Sequence, residues 1–433
     1  EQAKNVYDKA IGFDPLNKQI IFLMSDCLFN MKSYKKAKKV IYQELENNNS
    51  DAKFNHLLGK ILHKEGDHKA LKYYRIALNK KKYREEVLNN MGAFFIEQRK
   101  LRCSEHALEK ALTLNNNNFN AKLNLAYTQL IRKNFEKGWD NQEFRWKADF
   151  ANEVVWPIKD RELWEGQRDK NVLLWREQGI GDDILFMGLV PEASEINNLT
   201  TVYTDPRLVS LCKRGMPGVI FKPYRGKIED EDFDYHLPMG SLPRLFRNSE
   251  KDFERVTTGY LKADSKRVED LSQELGIGNK KVIGISWKSI KSLHTLKKSL
   301  SLMELGKVFQ GLDVVLLNLQ YGDVNEEIKE FTKATGIEVL QCKSVDNRED
   351  LDGLAALIEN CDLVVSTSNV TIHLAGALGK ETWVLLPYVA NFWWLLDRSD
   401  SIWYPTLKLY RQRKFQNWSN VLLELKEDLN RKF

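Results

Sequence analysis

The sequence has 433 residues, 42% hydrophobic and 29% charged, with a formal net charge of +6. Such a length predicts two or three domains, and such a composition is typical of a soluble globular protein. No run of about 18 apolar residues occurs, and the first ten residues, EQAKNVYDKA, lack the apolar centre of a secretion signal. The five cysteines are scattered without a CxxC pair, which predicts reduced thiols, a cytoplasmic location and neither a disulfide framework nor a zinc site.

Charge is distributed unevenly along the chain. Residues 1–135 contain 25 Lys and Arg against 14 Asp and Glu, a balance of +11, so the remainder holds 41 against 46, a balance of −5. The basic segment could serve an acidic partner, or it could reflect a lysine-rich composition with solvated faces. Nucleic-acid binding is not predicted, because the basic residues are not interleaved with aromatic residues as a base-stacking surface requires.

The first 135 residues carry a repeat of 33 to 34 residues. Gly59 is followed at this spacing by Gly92 and then Ala126, each within an apolar run. Further small or aromatic residues recur at matching places, namely Ala37, Ala70, Tyr74, Ala77, Ala107 and Ala111. Small residues at these positions allow paired helices to approach closely. The pattern resembles the tetratricopeptide repeat.

The repeat pattern extends to the start of the chain. Ala3, Tyr7, Ala10 and Pro15 have the spacing of the second helix of a tetratricopeptide repeat, so the chain is predicted to begin inside a repeat of a longer protein. Such arrays stack into a curved solenoid whose common use is to bind a peptide or a partner protein. A structural or dimerisation arm is the alternative interpretation.

From residue 170 onward, short β-rich runs alternate with helical stretches. The predicted strands are 172–175, 201–203, 219–222, 282–287, 314–320, 338–341, 362–366 and 382–386. The predicted helices are 183–196, 206–213, 302–310, 324–335 and 350–360. The alternation predicts two doubly wound parallel sheets joined by the polar stretch 262–281, with ligands in a cleft at the carboxyl ends of the strands.

The first candidate site is EQGIGDD, which follows the first strand. Gly179 and Gly181 permit close approach of the backbone, and we interpret them as room for an acceptor. Asp182 falls at the start of the next helix, where it is either a base facing the cleft or an ordinary helix cap. We favour the base for Asp182 and assign the cap to Asp183. Neither a dinucleotide fingerprint nor a Walker loop is predicted, because the third glycine and the GK[ST] sequence are missing.

The second candidate site is the start of the helix after the seventh predicted strand. Ser368, Asn369, Val370 and Thr371 lie at this start, where unpaired backbone N–H groups favour a phosphate. His373 lies one turn further and can donate a hydrogen bond to a diphosphate. A buried structural histidine is the alternative.

The third candidate site is the lysine-rich segment after the fourth predicted strand. Lys288, Lys291, Lys297 and Lys298 suit a diphosphate leaving group, although each alone can be a solvated side chain. The acidic run EDEDFD (229–234) is interpreted as a solvated turn rather than a metal-binding Asp-x-Asp. No other His, Asp or Glu cluster has ligand spacing, so no metal and no cofactor is predicted.

Six segments follow one another in a recognisable order. They are EKGWDNQEFRW (136–146), EQGIGDDILF (177–186), FDYHLPMGSLP (233–243), IGISWK (283–288), HLAGALGKETWVLLP (373–387) and WYPTLKLYRQ (403–412). Together with the repeats they resemble bacterial tetratricopeptide proteins whose C-terminal half is similar to the heptosyltransferases, glycosyltransferase family nine. The resemblance implies an α plus α/β chain: a tetratricopeptide α-solenoid (1–146), then a GT-B pair of Rossmann-like domains on the acceptor side (147–265) and the nucleotide-sugar side (266–433).

The resemblance also implies residue roles. The proposed general base of the heptosyltransferases corresponds to Asp182, and the acceptor side includes Gln178, Gly179, Gly181 and His236. The donor side corresponds to Lys288, Lys298, Ser368, Asn369, Val370, Thr371 and His373. The family has an Asp that contacts the donor sugar where this chain has Ser368, which implies a changed donor or a silent binder of sugar nucleotides.

Two functions therefore remain open. The first is an inverting, metal-independent glycosyltransferase that moves a sugar from a nucleotide-sugar co-substrate to a protein or glycan acceptor, with the repeats recruiting a protein acceptor. The second is a catalytically silent nucleotide-binding scaffold that binds partners through its repeats. Asp182 favours the enzyme, and Ser368 favours the scaffold.

Overall fold

The computed structural model describes residues 14, 17–148, 156–158, 160–229, 232–256, 258–289 and 298–433. Its contacts divide the chain into two compact units, one with the described residues up to 132 and those of 140–152, the other with those of 133–139 and 153–433. Several residues singled out from the sequence lie outside the described residues, namely Ala3, Tyr7, Ala10, Pro15, Lys291, Lys297 and two residues of the EDEDFD run.

The first unit is built from successive helix pairs. The helices are α1 (Lys18–Asn30), α2 (Tyr34–Asn47), α3 (Ala52–Lys64), α4 (Ala70–Ala77), α5 (Arg84–Glu97), α6 (Leu101–Leu114) and α7 (Phe119–Ile131). The next helix, α8 (Phe135–Gln142), is divided after residue 139 between the second unit and the first. Each odd-numbered helix up to α5 packs against the helix that follows it. The predicted helical repeat array is confirmed.

The small residues of the repeat stand where two helices of one pair touch. A Cβ atom at Gly59 would lie 2.6 Å from the Tyr74 ring, and one at Gly92 would lie 2.4 Å from Cγ of Leu108. Real Cβ atoms do not approach other atoms this closely, so a larger residue would push the helices apart. The glycines are therefore packing residues, as the repeat pattern predicts.

The second unit contains two parallel sheets. The first has the strands β1 (Asn171–Trp175), β2 (Leu199–Thr204), β3 (Ile220–Pro223) and β4 (Tyr235–Pro238) in the order β3-β2-β1-β4. The second has β5 (Val282–Ser286), β6 (Val315–Asn318), β7 (Val339–Leu340), β8 (Leu363–Thr367), β9 (Thr382–Leu386) and β10 (Leu407–Arg411) in the order β10-β9-β8-β5-β6-β7. When the strands of the second sheet are numbered from one along the chain, their order is 6-5-4-1-2-3, which is the six-stranded doubly wound arrangement. The first sheet has the order 3-2-1-4, the same arrangement without its last two strands.

Helices connect these strands. They are α9 (Ile180–Met187), α10 (Val190–Ile196), α11 (Val209–Gly215), α12 (Leu242–Phe246), α13 (Ser265–Leu275), α14 (Leu302–Gly306), α15 (Asn325–Thr335), α16 (Leu351–Glu359), α17 (Val370–Leu378) and α18 (Ser419–Lys432). Short 3-10 turns lie between several of them, including Phe392–Trp394. The predicted pair of Rossmann-like α/β domains is confirmed.

Several elements of the structure differ from the sequence prediction, and the following four are the most informative. Strands β4 and β10 were not predicted, and both are edge strands whose sequences carry proline or exposed lysine. The predicted helix 183–196 is two helices, which separate at Gly188. The stretch 262–281, predicted as a polar connection, contains α13, which buries Leu271 and exposes most of its other residues.

Trp139, on α8, belongs to the second unit. Its indole N–H donates to the carbonyl oxygen of Arg247 at 2.7 Å, and its ring packs edge-on against Phe392 and Trp403. The Arg247 guanidinium is itself buried and paired with Glu192. The EKGWD motif therefore supplies a core residue to the α/β unit.

Within the described residues, no helix combines the length and the apolar character that a membrane span requires.

Replacement of Gly92 by Ala should destabilise the repeat unit, although alanine has the higher helix propensity by about 1 kcal/mol. The expected loss is about 2 kcal/mol, because the new methyl group overlaps Leu108. Far-UV circular dichroism of the full chain during urea unfolding measures it. Trp146 apart, all tryptophans lie in the second unit, so their fluorescence reports that unit separately.

The matched control is the same substitution in a Leu108→Ala chain. There the overlap is absent, so Gly92→Ala should be neutral or slightly stabilising. Equal destabilisation in both backgrounds would contradict the packing role.

Candidate functional site

The topology of the two sheets marks two crevices. In a doubly wound sheet, ligands bind outside the carboxyl ends of the strands where the chain order reverses. That point lies between β1 and β4 in the first sheet and between β5 and β8 in the second. The three candidate sites chosen from the sequence follow strands β1, β5 and β8.

The first crevice is lined by residues 177–178 packed against the end of β4. A Cβ atom at Gly240 would lie 2.2 Å from Oε1 of Glu177 and 3.2 Å from Nε2 of Gln178. The carbonyl of Gln178 accepts a hydrogen bond from Arg176 at 2.9 Å. Gln178 therefore lies at the first crevice with its backbone fixed.

Asp182 occupies the first turn of α9, whose N-cap is Gly179. The Asp182 carboxylate accepts a hydrogen bond from the backbone N–H of Gly179 at 3.1 Å. Desolvation raises the pKa of Asp182 to about 6, opposed by the Gly179 hydrogen bond and the Lys298 charge and assisted by the charge of Glu177. A carboxylate with this pKa is ionised at neutral pH and accepts protons more readily than an exposed one.

Asp183 does not cap the helix, and the assignment of the cap to it is wrong. Its carboxylate is buried and pairs with Nε of Arg176 at 2.7 Å. Arg176 also contacts Asp205 at 3.0 Å, which joins the ends of β1 and β2. The cap is Asp182, because only the side chain at the third helical position reaches back to the Gly179 N–H.

Gly181 lies where α9 touches α17. A Cβ atom there would lie 3.1 Å from Cδ2 and 3.6 Å from Nε2 of His373. The absence of a side chain at residue 181 brings the two helix starts, and with them the two crevices, into contact. The space at Gly181 is thus filled by His373, whereas the sequence interpretation left it to an acceptor.

At the second crevice, Asn369 connects the start of α17 with the end of β5. Its Oδ1 accepts from the backbone N–H of Thr371 at 3.0 Å, and its Nδ2 donates to Oγ of Ser286 at 2.8 Å and to the carbonyl of Lys288 at 3.3 Å. The side chain is therefore an N-cap that also ties α17 to the end of β5. A ligand at this helix start would meet backbone N–H groups rather than the Asn369 amide.

The neighbours of Asn369 differ in what they contact. Ser368 Oγ accepts a hydrogen bond from the Trp394 indole at 3.1 Å. Val370 is the first helical residue and is half-buried. Thr371 is buried, and its hydroxyl has no hydrogen-bond partner among the described residues.

The two described lysines of the third candidate have different surroundings. Lys288 Nζ lies 2.6 Å from Oε2 of Glu327, so its charge is already paired. Lys298 makes no such pair within the described part of the chain, and desolvation lowers its pKa while the charge of Asp182 opposes the shift. Lys298 is also close enough to His373 to lower the pKa of that imidazole.

His373 is buried among aromatic rings on α17. Its Nδ1 lies 3.1 Å from the hydroxyl of Tyr404, and the rings of Trp393 and Trp394 lie within 6.0 Å, centre to centre. Burial, with the Lys298 charge, lowers the pKa of His373 to about 3, so the ring is neutral at physiological pH. Trp393, Trp394 and Tyr404 carried no role in the sequence interpretation, although Tyr404 stands in the WYPTLKLYRQ motif.

His236 lies inside the first sheet. It is the second residue of β4, opposite Leu173 in the middle of β1, and its Nδ1 accepts a hydrogen bond from the Trp175 indole at 3.1 Å. The Trp156 ring packs edge-on against it. The acceptor role of His236 stays a prediction, and the structure places the ring two residues before the carboxyl end of its strand.

No group of three or more His, Cys, Asp or Glu side chains in the described ranges is arranged to hold a metal ion. Fold and site define a helical repeat protein with a doubly wound, two-sheet unit, in which a helix that carries a desolvated carboxylate contacts the start of a second helix.

No family model matches the chain. Protein FlbA of Caulobacter vibrioides is 30% identical over 311 residues, which are 66% of this chain and 51% of FlbA. The chain thus spans about half the length of the curated relative that it matches.

Similar solved structures cover different parts of the chain. The glycosyl transferase family 9 structure from Veillonella parvula is 11% identical, covers 63% of this chain and 97% of its own, and has a TM-score of 0.41. YrrB, described as a TPR protein with an unusual peptide-binding site, is 16% identical, covers 34% and 77%, and has a TM-score of 0.30. At these values the structural likenesses carry no information on function.

Replacement of Asp182 by Asn should change how stability depends on pH. The folded pKa of about 6 exceeds the ordinary 3.8, so the folded state holds the proton more tightly. The resulting stabilisation is complete below about pH 3.8 and is lost as pH rises through 6. Asp182→Asn should therefore be more stable than wild type by roughly 2 kcal/mol at neutral pH and equal to it in acid.

Thermal unfolding from acidic to neutral pH measures this difference. Asp252→Asn is the matched control, because Asp252 occupies the same capping position in its own turn and accepts from the Ser249 N–H at 2.7 Å. The pKa of Asp252 is lowered, since its slight desolvation is outweighed by the Ser249 hydrogen bonds. Asp252→Asn should lose stability at neutral pH, and the same sign in both variants would contradict burial as the cause.

Proposed function

We propose that the chain is an inverting glycosyltransferase that uses a nucleotide-sugar donor. The observation that carries the proposal is a half-buried, desolvated carboxylate, Asp182, on a helix whose start touches the start of α17. A single displacement at a sugar carbon needs a base beside the acceptor and an anion-binding site for the leaving group. Asp182 and the start of α17 supply these two functions from opposite sheets.

In the proposed reaction an acceptor hydroxyl attacks the anomeric carbon of the donor sugar. The new carbon–oxygen bond forms as the bond to the diphosphate oxygen breaks, and the nucleoside diphosphate leaves with that electron pair. Asp182, ionised above its pKa of about 6, takes the hydroxyl proton. One displacement inverts the configuration at the anomeric carbon.

The leaving group is proposed to bind at the start of α17. Asn369 satisfies one of the N–H groups of this helix start, and the remainder suit phosphate oxygens. The Lys298 ammonium is partly desolvated and unpaired within the described residues, so it can stabilise the charge that develops on the diphosphate. The Thr371 hydroxyl is a further donor at the same helix turn.

A protein or glycan acceptor is proposed, with a protein acceptor bound by the repeat helices. Polar side chains of successive repeats are joined there: Asn90 contacts His56 at 2.8 Å, and Asn124 donates to Asn89 at 2.8 Å. Such a polar seam can hydrogen-bond the backbone of a peptide.

A silent nucleotide-binding scaffold is the second candidate. Two contacts favour it: the Asp182 carboxylate already caps its own helix, and Ser368 is bonded to Trp394 at the place where the resembled family has its sugar-binding Asp. This candidate shares the nucleotide site with the first and differs only in turnover.

Lys298→Ala should weaken the binding of nucleoside diphosphates about 10- to 100-fold, the effect of one charge-assisted hydrogen bond. Calorimetric titration with a panel of nucleoside diphosphates measures the change. Lys288→Ala is the matched control, since its charge is paired with Glu327, and it should weaken binding much less. Equal losses would contradict the donor role of Lys298, and no binding by wild type would end both candidate functions.

Asp182→Asn should lower the rate of sugar transfer by about 10²- to 10⁴-fold, the usual contribution of a general base. The measurement is nucleotide release from a panel of nucleotide sugars, with and without candidate acceptors. Diphosphate affinity should not fall, because the proposed base does not bind the leaving group and its removal takes away a negative charge close to Lys298. Binding without turnover in wild type would select the scaffold, and equal turnover in both proteins would remove Asp182 from the base role.

A further inference from the structure

Three hydrogen bonds meet at one side-chain oxygen just after β6. Oε1 of Gln320 accepts from the backbone N–H groups of Trp287 and Lys288, each at 2.9 Å. It also accepts from Oγ of Ser286 at 3.0 Å, and the Gln320 side chain is buried. These donors stand at the end of β5, which pairs with β6. One oxygen therefore fixes the backbone where β5 leaves the sheet.

The orientation of the Gln320 amide follows from its backbone partners. A backbone N–H group can only donate, so the atom that contacts Trp287 and Lys288 must be the amide oxygen. The amide nitrogen then donates to the carbonyl oxygen of Tyr321 at 3.0 Å, and this carbonyl can only accept. An amide turned the other way would place donors against donors at one end and acceptors against an acceptor at the other.

The end of β5 in turn holds the residues that follow Lys298. The carbonyl oxygen of Trp287 accepts from the N–H of Leu300 at 3.1 Å, and Oγ of Ser299 accepts from the N–H of Ser289 at 3.1 Å. We call this pair of contacts the neck. Because Lys298 directly precedes Ser299, its backbone lies one residue from the neck.

Lys298 needs such support, because its ammonium group lies in an unfavourable place. Desolvation lowers its pKa, although the charge of Asp182 opposes the shift. The loss of hydration thus outweighs the attraction to Asp182. A lysine ammonium is strongly hydrated and sits on a flexible stem, so it would move toward water if its backbone were released.

The same Gln320 oxygen is connected to the start of α17. Ser286 donates to Gln320, and its Oγ accepts from Nδ2 of Asn369 at 2.8 Å. Asn369 is the N-cap of α17 and accepts from the N–H of Thr371. Gln320 is therefore bound on one side to the backbone that leads to the neck and on the other, through one hydroxyl, to the helix start.

We propose that Gln320 is a positioning residue that sets the place of the Lys298 ammonium relative to the start of α17. Gln320 acts through the backbone, because its own oxygen already accepts three hydrogen bonds. The consequence for a ligand rests on the proposed function, in which a diphosphate binds to Lys298 and to the free N–H groups of α17. Gln320 then fixes the spacing between these two phosphate-binding groups.

Acylation of Lys298 tests its position without any ligand. Only the neutral amine reacts, so the pH dependence of labelling, located by tandem mass spectrometry, reports the pKa of this residue. The wild-type midpoint should lie below the ordinary 10.5, because the amine is desolvated. In Gln320→Met, which keeps the side-chain length and removes the acceptor, the midpoint should rise toward 10.5. A wild-type midpoint of 10.5, or no rise in Gln320→Met, would overturn the proposal.

Gln412→Met is the matched control for loosening of the sheet. Gln412 is as buried as Gln320, directly follows β10, and its Oε1 accepts from the backbone N–H of Tyr388 at 3.0 Å. Strand β10 is the edge strand three positions from β5. Gln412→Met should therefore leave the Lys298 midpoint where it is. Equal rises in both variants would assign the effect to general loosening and defeat the positioning role.

Ser299→Ala is a second, milder variant that remains informative where Gln320→Met does not fold. It removes the contact of Ser299 with the Ser289 N–H, so the Lys298 midpoint should rise by less than in Gln320→Met. Ser301→Ala is its control, because Oγ of Ser301 accepts from the N–H of Glu304 and caps α14. No rise in Ser299→Ala, or the same rise in Ser301→Ala, would count against the neck.

Binding of nucleoside diphosphates tests the consequence for the ligand. Gln320→Met should weaken binding about tenfold in an otherwise wild-type chain, the effect of one displaced charged contact. In a Lys298→Ala chain the same substitution should weaken binding by no more than about twofold, because the residue that it positions is already gone. Equal losses in both backgrounds would show that Gln320 does not act through Lys298.

The labelling and binding experiments fail separately. A wild-type chain that binds no nucleoside diphosphate would defeat the proposed function and the consequence for the ligand. The labelling experiment would still decide whether Gln320 holds Lys298 in place.

Discussion

The contact between the starts of α9 and α17 is the interaction on which the site depends. It exists because residue 181 has no side chain, which lets the His373 ring pack against the α9 backbone. Each helix follows the central strand of its own sheet at the place where a doubly wound sheet binds ligands. A methyl group at residue 181 would lie 3.1 Å from that ring, so the ring would have to shift by a few tenths of an ångström.

The same contact gives three neighbouring groups one electrostatic environment. Desolvation is the largest cause of the raised pKa of Asp182 and of the lowered pKa values of Lys298 and His373. Each group is shifted toward its neutral form, and the mutual attraction of Asp182 and Lys298 opposes the shift. Because the effective dielectric constant falls with burial, charges that form at this site during a reaction would interact strongly with these groups. A change that admits water would therefore alter all three together.

The sequence was sufficient for the fold class and for the segments of the site. Strands β5, β8 and β9 are buried on both faces, so they appear as continuous apolar runs that single-sequence reasoning detects. Edge strands β4 and β10 were not predicted, because proline in β4 and an exposed lysine in β10 interrupt their apolar runs. Glycine spacing located Gly181 correctly, but the partner that fills its space comes from a residue almost two hundred positions away.

Residue roles within the site were harder to predict than its location. Which of Asp182 and Asp183 caps α9 depends on a single hydrogen bond to Gly179, and two adjacent aspartates give the same sequence signal. That Lys288 is paired depends on Glu327, on a distant helix. The contact of Tyr260 had no recognisable pattern, because its hydroxyl donates to the carbonyl oxygen of Ile184, which lies in a segment far along the chain.

The position of Trp139 has a practical consequence for dividing the protein. The indole is a buried member of the α/β unit, although by sequence it falls within the predicted repeat segment 1–146. A fragment that began at residue 147 would lose a ring that packs on Phe392 and Trp403 and would leave the Arg247 carbonyl without its donor. An isolated α/β fragment should therefore include residues 133–139, which belong to its core by contact and not by sequence pattern.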